Sequence, residues 1–559
     1  MELIEHTLGS ILEKWAKETP NKEYLVSPYK GVRYTYAEFN KRVDNLACAL
    51  HELGVKRDSK VGIWANNHPD WITIFFATAK LDAILVTVNT NYKVTEAEYV
   101  MKNADIHTMC MIDTYRDSSY TDITYEIVPE LRTKGAGELK SKRLPKLRNV
   151  VLIGECEADS SCQCTERPGI LSLEALVAHG ATLDHTPLKE IGEKTSCHDV
   201  VNMQYTSGTT GFPKGVLLTH HNILNNGKAT AEFMRYTADD KLLVCVPMFH
   251  CFGCVLALCA VITHGATMVM LEDFDALKVL ESVHNERCTI LYGVPTMFIA
   301  ELNHPDFDKF NLKSLRTGIM AGAVCPIETM NAVMDRMNCN LISIYGLTES
   351  SPGMTGSDVE NDSTEVRATT VGRPFPGIDV QIIDHESGEV LPAGKQGEVC
   401  CKGWNVMRGY YNNPGATAEV IDTDGYLHSG DLGMVDENGY FHITGRIKEM
   451  IIRGGENIYP REIENFLFNV EGLKGVEVVG IPSPRYGEQV AAFITVKDGA
   501  NLTVADIEAF CKGRIARYKV PRYIFFIEEF PMTASGKIQK YRLRDLGVKL
   551  MEERGEEII

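Results

Sequence analysis

The stretch YTSGTTGFPKG at residues 205–215 follows an apolar run over 200–203 that predicts a strand. Three glycines let backbone N–H groups approach an anion, and hydroxyl side chains donate further hydrogen bonds to it. The Gly-Lys-Ser/Thr step of a Walker loop is missing. The stretch therefore predicts a phosphate-binding loop of another kind, with these candidate ligands: Thr206, Ser207, Gly208, Thr209, Thr210 and Lys214.

Short β-rich runs alternate with helical stretches on both sides of this loop. Residues 60–64 and 83–88 predict strands around a helix over 70–81. Residues 241–246 and 267–271 predict strands around an apolar helix over 253–263, and another helix follows over 274–285. This alternation is typical of α/β layers with largely parallel sheets.

The amino-acid composition changes after about residue 370, where glycine and proline become frequent. Three short runs predict a β-rich subdomain: 379–384, 397–402 and 439–444. From about 449 a compact α+β unit is predicted, with strands over 475–480, 490–496 and 523–527 and a helix over 504–516. We place the domain boundary near Lys448. The fold class is thus α/β, with a large N-terminal domain over 1–447 and a small α+β domain over 448–559.

Charge and hydropathy exclude several classes of function. The chain has 559 residues and a formal net charge of -18, which disfavours binding to nucleic acid or to an anionic membrane surface. No run approaches ~18 uninterrupted apolar residues, so no integral membrane segment is expected. The first twenty residues predict an amphipathic helix that stops near Pro20 and not a signal peptide. We expect a cytoplasmic protein, either a monomer or a homodimer.

The 16 cysteines are scattered, which favours reduced thiols over a disulfide scaffold. Cys156, Cys162 and Cys164 lie in one polar stretch. Because they lack CxxC spacing and a nearby histidine, we interpret the stretch as a surface loop and not as a metal site.

The stretch 205–215 resembles the signature of the adenylate-forming superfamily, which comprises acyl-CoA synthetases, luciferases and the adenylation domains of peptide synthetases. Further stretches resemble that family's motifs in the same order and span most of the chain: MAGA at 320–323, YGLTE at 345–349, SGD at 429–431, GRIKEMI at 445–451, RGGENIYP at 453–460 and PMTASGK at 531–537.

The resemblance implies roles for residues before 370. Tyr345 would pack on adenine, Thr348 would contact phosphate beside Gly346, and Glu349 would hold Mg²⁺. The small residues Gly322 and Ala323 would line the adenine and the acyl group. Thr206, Glu349 and His250 would take part in catalysis.

The resemblance also implies roles near the C-terminus. Asp431 would bind the ribose hydroxyls, with Arg446 as a second ribose or phosphate contact, and Lys448 would be the hinge between domains. Gly454 and Gly455 would let the pantetheine arm of coenzyme A pass close to the backbone. Lys537 would be the catalytic lysine, because an ammonium aimed at the α-phosphate stabilises the charge of the transition state. Three basic residues are candidate contacts for the phosphates of coenzyme A: Arg453, Arg485 and Lys519.

The implied chemistry has two half-reactions. A carboxylate attacks the α-phosphate of ATP and gives acyl-AMP and pyrophosphate; the thiol of coenzyme A then attacks the acyl carbonyl and releases AMP. The cofactors are therefore ATP, Mg²⁺ and coenzyme A. A rotation of the C-terminal domain would exchange the Lys537 loop for the Gly455 side.

The stretch PMFHCFG at 247–253, which resembles the family's aromatic gate, limits which acids the enzyme is expected to use. Members that activate amino acids carry an Asp where His250 stands, so α-amino acids are disfavoured. The apolar run over 254–262 suits a fatty tail, and the motifs resemble those of medium- and long-chain fatty acid ligases. An aryl or alicyclic acid, or transfer to a separate carrier protein, remains open. A luciferase-like oxygenase would need its own substrate.

A non-catalytic sensor is disfavoured, because the side chains that carry the chemistry are all present: Lys214, Glu349, Asp431, Arg446 and Lys537.

Overall fold

A computed structural model describes residues 1–134, 138–206, 213–322, 327–385, 387–454, 456–533 and 537–553, without the side chains of Glu456 and Asn457. Six predicted site residues lie outside this part of the chain: Ser207, Gly208, Thr209, Thr210, Ala323 and Gly455. The chain divides into two compact units: Met1–Asp379 with Cys401–Leu427, and Val380–Cys400 with His428–Ile559.

The first unit is built on two large sheets. One sheet is parallel except at the edge that carries the phosphate-loop strands. Its strands lie in the order Gly409–Tyr410, Lys214–Thr219, Val200–Thr206, Ile84–Thr87, Lys60–Trp64, Ile106–Ile112, Asn149–Ile153 and Ile170–Ser172.

The other sheet is parallel except at one terminal pair. Its order is Asn340–Ile342, Thr317–Met320, Ile290–Gly293, Lys241–Val244, Thr267–Met270, Glu23–Ser27 and Val32–Thr35. The unit also contains a three-stranded sheet of Ile344–Gly346, Gly353–Gly356 and Arg373–Pro374, and a two-stranded sheet of Thr114–Tyr115 and Ser118–Ser119.

The core of the first unit joins residues of both large sheets through helices packed on them. Every residue of the helix Pro69–Lys80 is buried, which explains its almost continuous apolar sequence. Its one lysine, Lys80, donates hydrogen bonds to Glu13, Asn40 and Asp44, so the buried charge is compensated.

Threonine N-caps begin several helices of the first unit. Thr7, Thr35 and Thr219 each accept a hydrogen bond from the third helical N–H in a capping box. The α-helices of this unit are Leu8–Glu18, Tyr36–Glu52, Pro69–Lys80, Val94–Asn103, Tyr120–Ile127, Leu173–Gly180, Thr186–Gly192, His220–Phe233, Leu258–His264, Ala276–Glu286, Pro295–Leu302, Ile327–Met337, Thr364–Thr369 and Pro414–Val420. Short 3₁₀ turns are Pro28–Lys30, Pro129–Arg132, Phe307–Lys309 and Thr348–Ser350, and Phe252–Ala257 is a π-helix.

The second unit contains most of a four-stranded sheet and a complete five-stranded one. The first has the order Ile378–Ile383, Gly397–Gly403, Leu427–Val435 and Phe441–Arg446. The second has the order Glu456–Ile458, Ile451–Arg453, Gly487–Val496 and Leu473–Ser483, with Tyr523–Phe526 also paired to Gly487–Val496. Its helices are Pro460–Leu467, Val504–Cys511 and Lys540–Glu553, with 3₁₀ turns at Ile447–Glu449 and Arg517–Lys519.

The predicted α/β class is confirmed, and most predicted elements occur near their predicted bounds. The helix predicted over 504–516 is too long: it ends at Cys511, because Lys512 leaves the helical conformation and Gly513 takes a positive φ of 72°. The domain boundary near Lys448 stays a prediction.

The expectation of reduced thiols is wrong for one pair, because Cys156 and Cys164 form a disulfide. An isolated antiparallel bridge between Ala158 and Cys164 folds this loop back on itself. The two Cα atoms thereby lie 6.0 Å apart, within the range that a disulfide spans. Cys162, the third cysteine of the stretch, is a buried free thiol. None of the described helices combines the length and the hydropathy needed to cross a bilayer.

Candidate active site

Two antiparallel strands, Val200–Thr206 and Lys214–Thr219, form a hairpin, and the residues that connect them in the predicted phosphate loop, 207–212, lie outside the described residues. Thr206, the last residue of one strand, pairs in register with Lys214, the first residue of the next. The strand Gly409–Tyr410 pairs with the outer side of this hairpin. The sheet therefore fixes the two ends of the loop and brings Tyr410 beside Lys214.

Tyr410 connects Lys214 with Glu349. The Nζ atom of Lys214 lies 4.9 Å from the centre of the Tyr410 ring, within range of a cation–π interaction. The hydroxyl of Tyr410 donates a hydrogen bond of 2.8 Å to Oε1 of Glu349. Burial raises the pKa of Tyr410, and the Glu349 carboxylate raises it further, so the phenol keeps its proton. The structure thus brings together the predicted phosphate and Mg²⁺ residues, Lys214 and Glu349.

The YGLTE motif turns sharply after the strand Ile344–Gly346. A Cβ atom on Gly346 would lie 1.7 Å from the carbonyl oxygen of Pro352, so a glycine is required there. Thr348 and Glu349 follow in a 3₁₀ turn, and the backbone carbonyl of Glu349 accepts a hydrogen bond from the N–H of Met407. The close approach at Gly346 sets the direction in which Thr348 and Glu349 leave the strand.

The predicted gate residue His250 lies near the YGLTE motif. The Sγ atom of Cys251 lies 3.6 Å from Nδ1 of His250 and 3.7 Å from Oγ1 of Thr348. The N–H of Phe252 donates to Nδ1 of His250 over 3.3 Å. These contacts orient the imidazole, and the structure brings His250 together with Thr348.

The apolar run after His250 forms a π-helix over Phe252–Ala257, followed by the α-helix Leu258–His264. All six residues of the π-helix are buried, and the Phe252 ring stacks on Tyr292 with centres 5.8 Å apart. A Cβ on Gly253 would lie 2.4 Å from the carbonyl oxygen of Pro247. Single π-turns occur frequently at functional sites. This one contains the start of the apolar run that the sequence predicts to contact the tail of the acid.

Tyr345 and Gly322, the remaining predicted ligands of adenine, lie near strand ends. Tyr345 is half-buried and pairs with Thr355 across the small sheet. Gly322 follows the strand Thr317–Met320 with a positive φ of 85°, a conformation that favours glycine.

In the second unit, Asp431 and Arg446 face each other on neighbouring antiparallel strands. Nε of Arg446 lies 2.7 Å from Oδ1 of Asp431, whose side chain is 5% exposed. The structure thus joins the two residues predicted to bind the ribose. Their role remains a prediction.

Neither Glu398 nor Tyr410 was predicted from the sequence. Oε1 of Glu398 accepts a hydrogen bond from the N–H of Gly430, and Oε2 lies 2.9 Å from Nδ1 of His428. Glu398 therefore fixes the part of the strand Leu427–Val435 that leads to Asp431. A single Glu within a predicted strand gives no signal of this role, whereas the GYY run at 409–411 is an aromatic cue that could have drawn attention to Tyr410.

Thr533 and Lys537 flank residues 534–536, which lie outside the described residues. The N–H of Lys537 donates to Oγ1 of Thr533, and the N–H of Thr533 donates to the carbonyl oxygen of Lys537. Met532 and Ile538 pair just outside these two residues. The Lys537 side chain is exposed, while its backbone is held by the two hydrogen bonds with Thr533.

Lys540, three residues later, is held by three carboxylates. Its Nζ lies 2.6 Å from Oε1 of Glu464, 3.4 Å from Oε2 of Glu477 and 3.5 Å from Oε2 of Glu449. Burial raises the pKa of Glu477 to about 7, and Glu464 adds to that shift. Burial alone would lower the pKa of Lys540, but the carboxylates raise it overall. Lys540 therefore stays charged and ties the segment of the predicted catalytic lysine, Lys537, to Glu449, the neighbour of the predicted hinge Lys448.

Lys448 itself is exposed on the 3₁₀ turn Ile447–Glu449. Gly454 has a positive φ of 61°, and its N–H donates to the carbonyl oxygen of Tyr486. The guanidinium groups of Arg453 and Arg485 lie 4.8 and 5.1 Å from the centre of the Tyr486 ring. Two of the three basic candidates for coenzyme A therefore flank one ring.

The third basic candidate, Lys519, forms an ion pair with Glu462 instead.

The paired α/β sheets, the phosphate-loop hairpin and the ordered motifs define an adenylate-forming enzyme. The chain belongs to the family of AMP-binding enzymes. The family described as "AMP-binding enzyme" matches residues 12–411, and "AMP-binding enzyme C-terminal domain" matches residues 462–537.

Three known proteins show the extent of the similarity. YngI of Bacillus subtilis, whose name assigns it provisionally to the acyl-CoA synthetases, is 46% identical over 98% of both chains. The mitochondrial medium-chain acyl-CoA ligase ACSF2 of Macaca fascicularis is 38% identical over 97% of this chain and 87% of that protein. The crystal structure of ATP-bound MatB from Rhodopseudomonas palustris superposes with a TM-score of 0.81 at 26% identity, covering 96% of this chain and 98% of MatB.

Proposed function

We propose that this enzyme converts a medium- or long-chain fatty acid to its coenzyme A thioester through an enzyme-bound acyl-adenylate. The observation that carries this proposal is near full-length similarity to proteins named as acyl-CoA synthetases or ligases, at 38–46% identity. The retained side chains of every motif support it, because a protein that had lost the chemistry would be expected to lose them.

Adenylation needs a site for the triphosphate of ATP. Thr206 and Lys214 would hold phosphate oxygens at the two ends of the hairpin, and Tyr345 would stack on adenine. The fit of Glu349 to Mg²⁺ is supported by its chemistry, since carboxylate oxygens are ligands that Mg²⁺ prefers, and by its hydrogen bond from Tyr410, which orients the carboxylate. The ion would neutralise phosphate charge.

The proposed reaction has two steps. A carboxylate oxygen of the acid forms a bond to the α-phosphorus, and pyrophosphate leaves with the bond electrons. Lys537 would stabilise the negative charge that builds up there, while Asp431 and Arg446 hold the ribose. In the second step the thiol sulfur of coenzyme A bonds to the acyl carbon, its proton is lost, and AMP leaves.

The second step would use the other side of the C-terminal domain. Gly454 and Gly455 would admit the pantetheine arm, and the pair Arg453 and Arg485 would meet phosphate groups of coenzyme A. We propose the hinge at Lys448, with domains over 1–447 and 448–559. The exposed 3₁₀ turn at Lys448 supports this assignment, because a hinge needs a backbone that can change without breaking a packed core.

The π-helix and the helix Leu258–His264 support an apolar acid, since their described side chains are almost all buried hydrophobic groups. His250 stands where an ammonium-binding carboxylate would be needed for an amino acid. A cytoplasmic location is also proposed.

The test is pyrophosphate release by the purified enzyme with ATP, Mg²⁺ and a panel of acids. The panel contains straight-chain acids from short to long, benzoate-type and alicyclic acids, and amino acids. Coenzyme A is then added, and the thioester is measured. We expect release with C8–C16 acids, followed by thioester formation.

Three outcomes would overturn the proposal or part of it. Release with amino acids alone would contradict the assignment of the acid pocket. Preference for aryl or alicyclic acids would replace the fatty substrate. Adenylate formation without thioester, together with loading of a separate carrier protein, would replace coenzyme A as the acceptor.

A further inference from the structure

A cluster of metal-ligating side chains lies in the first unit at the end of the phosphate-loop hairpin opposite Thr206 and Lys214. Cys197 and His198 precede the strand Val200–Thr206, and His221 is the second residue of the helix that follows the strand Lys214–Thr219. Each strand spans about 20 Å at ~3.3 Å per residue. The cluster is therefore remote from the phosphate ligands.

Glu5 from the N-terminal segment completes the cluster. Sγ of Cys197 lies 2.9 Å from Oε2 of Glu5, Nε2 of His198 lies 3.6 Å from the same oxygen, and Nε2 of His221 lies 3.3 Å from Oε1. The ligand atoms of Glu5, Cys197 and His198 all lie within 4.8 Å of one another. Bonds of about 2.0–2.3 Å at tetrahedral angles place ligand atoms roughly 3.3–3.7 Å apart.

Three segments of backbone hold these side chains in place. The N–H of His221 donates to the carbonyl oxygen of Cys197 over 2.7 Å. Asn225, one helical turn after His221, exchanges two hydrogen bonds with the backbone of Ile4. The N–H of Leu8 donates to Nδ1 of the buried His220. The cluster is therefore preorganised by its surroundings.

The side chains remain accessible to an ion from solvent. Those of Glu5 and His198 are 64% and 62% exposed, whereas that of His221 is 10% exposed. Cys197 is half-buried, and every other free cysteine within the described ranges is buried. The cluster thus has an entry path, which a metal site needs.

We propose that Glu5, Cys197, His198 and His221 bind one Zn²⁺-class divalent ion. One thiolate, two imidazoles and one carboxylate form a ligand set that selects zinc over magnesium, which prefers oxygen ligands alone. The ion would fasten the N-terminal segment to the helix His220–Phe233 and to the base of the phosphate-loop hairpin. This site is separate from the Mg²⁺ site proposed at Glu349, and it does not depend on the identity of the acid.

Binding changes the protonation of one ligand. Burial raises the pKa of the Cys197 thiol to about 11, and the hydrogen bond to Glu5 contributes. The free protein therefore carries the thiol at neutral pH. When the metal–sulfur bond forms, the S–H bond breaks with its electron pair left on sulfur, and one proton goes to solvent.

The test is titration of the untagged, full-length, metal-free enzyme with Zn²⁺ in the presence of millimolar Mg²⁺, followed by native mass spectrometry and calorimetry. We expect one bound Zn²⁺ that Cys197→Ser and His221→Ala each weaken by at least about 100-fold. His179→Ala is the matched control: this exposed histidine pairs with Glu52 elsewhere in the first unit, and its loss should leave Zn²⁺ affinity unchanged. Equal affinity in the wild type and both ligand variants would overturn the proposal.

Co²⁺ supplies a second measurement that does not depend on the fold of a variant. The wild-type complex should show thiolate-to-cobalt absorption, and Zn²⁺ should slow alkylation of Cys197. Absence of that absorption together with unchanged alkylation would also overturn the proposal. Acyl-CoA synthesis by Cys197→Ser should stay at the wild-type rate, and Zn²⁺ should raise the unfolding temperature of the wild type only.

Discussion

Lys214 and Lys537 differ in how the protein holds them. Lys214 begins a strand that lies between the edge strand Gly409–Tyr410 and the strand Val200–Thr206. Its ammonium lies over the Tyr410 ring, and the Tyr410 hydroxyl donates a hydrogen bond to Glu349. The Lys537 side chain is exposed, and two hydrogen bonds join its backbone to Thr533.

This difference matches the tasks proposed for the two lysines. A group that binds phosphate throughout the reaction gains from a fixed position, because no ordering is then needed on binding. A group that acts in one half-reaction and withdraws in the other must be carried by an element that can leave. In the second unit the lysine held by carboxylates is Lys540, which is half-buried three residues after the exposed Lys537.

The sharpest test of the comparison is Lys537→Ala. We expect adenylate formation to fall by ~10²–10³, as when a stabiliser of transition-state charge is removed, while thioester formation from preformed acyl-AMP is largely spared. Single-turnover measurement of each half-reaction separates them. Lys512→Ala, an exposed lysine of the same unit, is the control and should change neither rate. Wild-type adenylation by Lys537→Ala would contradict the role.

Lys540→Met tests whether the segment around Lys537 depends on the ion-paired charge of Lys540. The change leaves Glu464 and Glu477 without their cation, and removing one partner of a buried ion pair typically destabilises by about 3 kcal/mol or more. The effect is measured by denaturant unfolding of the protein, with hydrogen exchange of residues 460–496 as the readout for the second unit. The surface lysine Lys549, which pairs with Glu553 on the same helix, supplies the control Lys549→Met.

If Lys540 acts through charge, adding Glu477→Gln to Lys540→Met should restore part of the lost stability. A double variant no more stable than Lys540→Met would mean that packing of the lysine stem, and not its charge, is what matters.

The two units also differ in how they bury carboxyl groups. Glu477 has Lys540 as partner, whereas Oε2 of Glu301 has no hydrogen-bond partner among the described residues. Burial raises the pKa of Glu301 well above its usual range. Above pH ~4.5 the unfolded chain loses this proton while the folded protein keeps it, so stability falls as pH rises.

Glu301→Gln removes this dependence. Between pH 5 and 7 the free energy of unfolding of the wild type should fall relative to the variant, by at most ~1.36 kcal/mol per pH unit for this single proton. Urea unfolding at pH 5, 6 and 7 checks this. Glu328→Gln, on an exposed position of another helix, should track the wild type. Parallel curves for wild type and Glu301→Gln would mean that Glu301 is ionised in the folded protein.

Tyr410→Phe tests the fixed side of the comparison and has the smallest expected effect. It removes the hydrogen bond to Glu349, and a bond to a charged group contributes about 1.5 kcal/mol, roughly a tenfold rise in KM for MgATP. Steady-state kinetics with varied Mg²⁺ measures it. Tyr411→Phe, whose hydroxyl bonds Asp105 instead, is the control. An unchanged KM would separate Tyr410 from the Mg²⁺ site.

The sequence predicted the layered fold because hydrophobic periodicity and strand–helix alternation are local signals. The helix over 70–81 and the strand over 60–64 were found within a residue or two. The end of the helix over 504–516 was missed, since five further residues carry no proline and the stop depends on the backbone at Lys512 and Gly513.

The pairing of Cys156 with Cys164 was missed because a pattern of spacings does not show which loop folds back.

By itself the sequence determined the class of chemistry: glycine-rich and hydroxyl-rich stretches, ordered acidic and basic motifs and an apolar run are properties of residue types and their order. The tertiary structure alone decided which of these residues share a neighbourhood. Tyr410 beside Lys214 and Glu349, Glu398 beneath Gly430, and Glu5 with Cys197 and His221 are far apart along the chain. They meet because sheet pairing and helix packing act over long sequence separations, which no local pattern encodes.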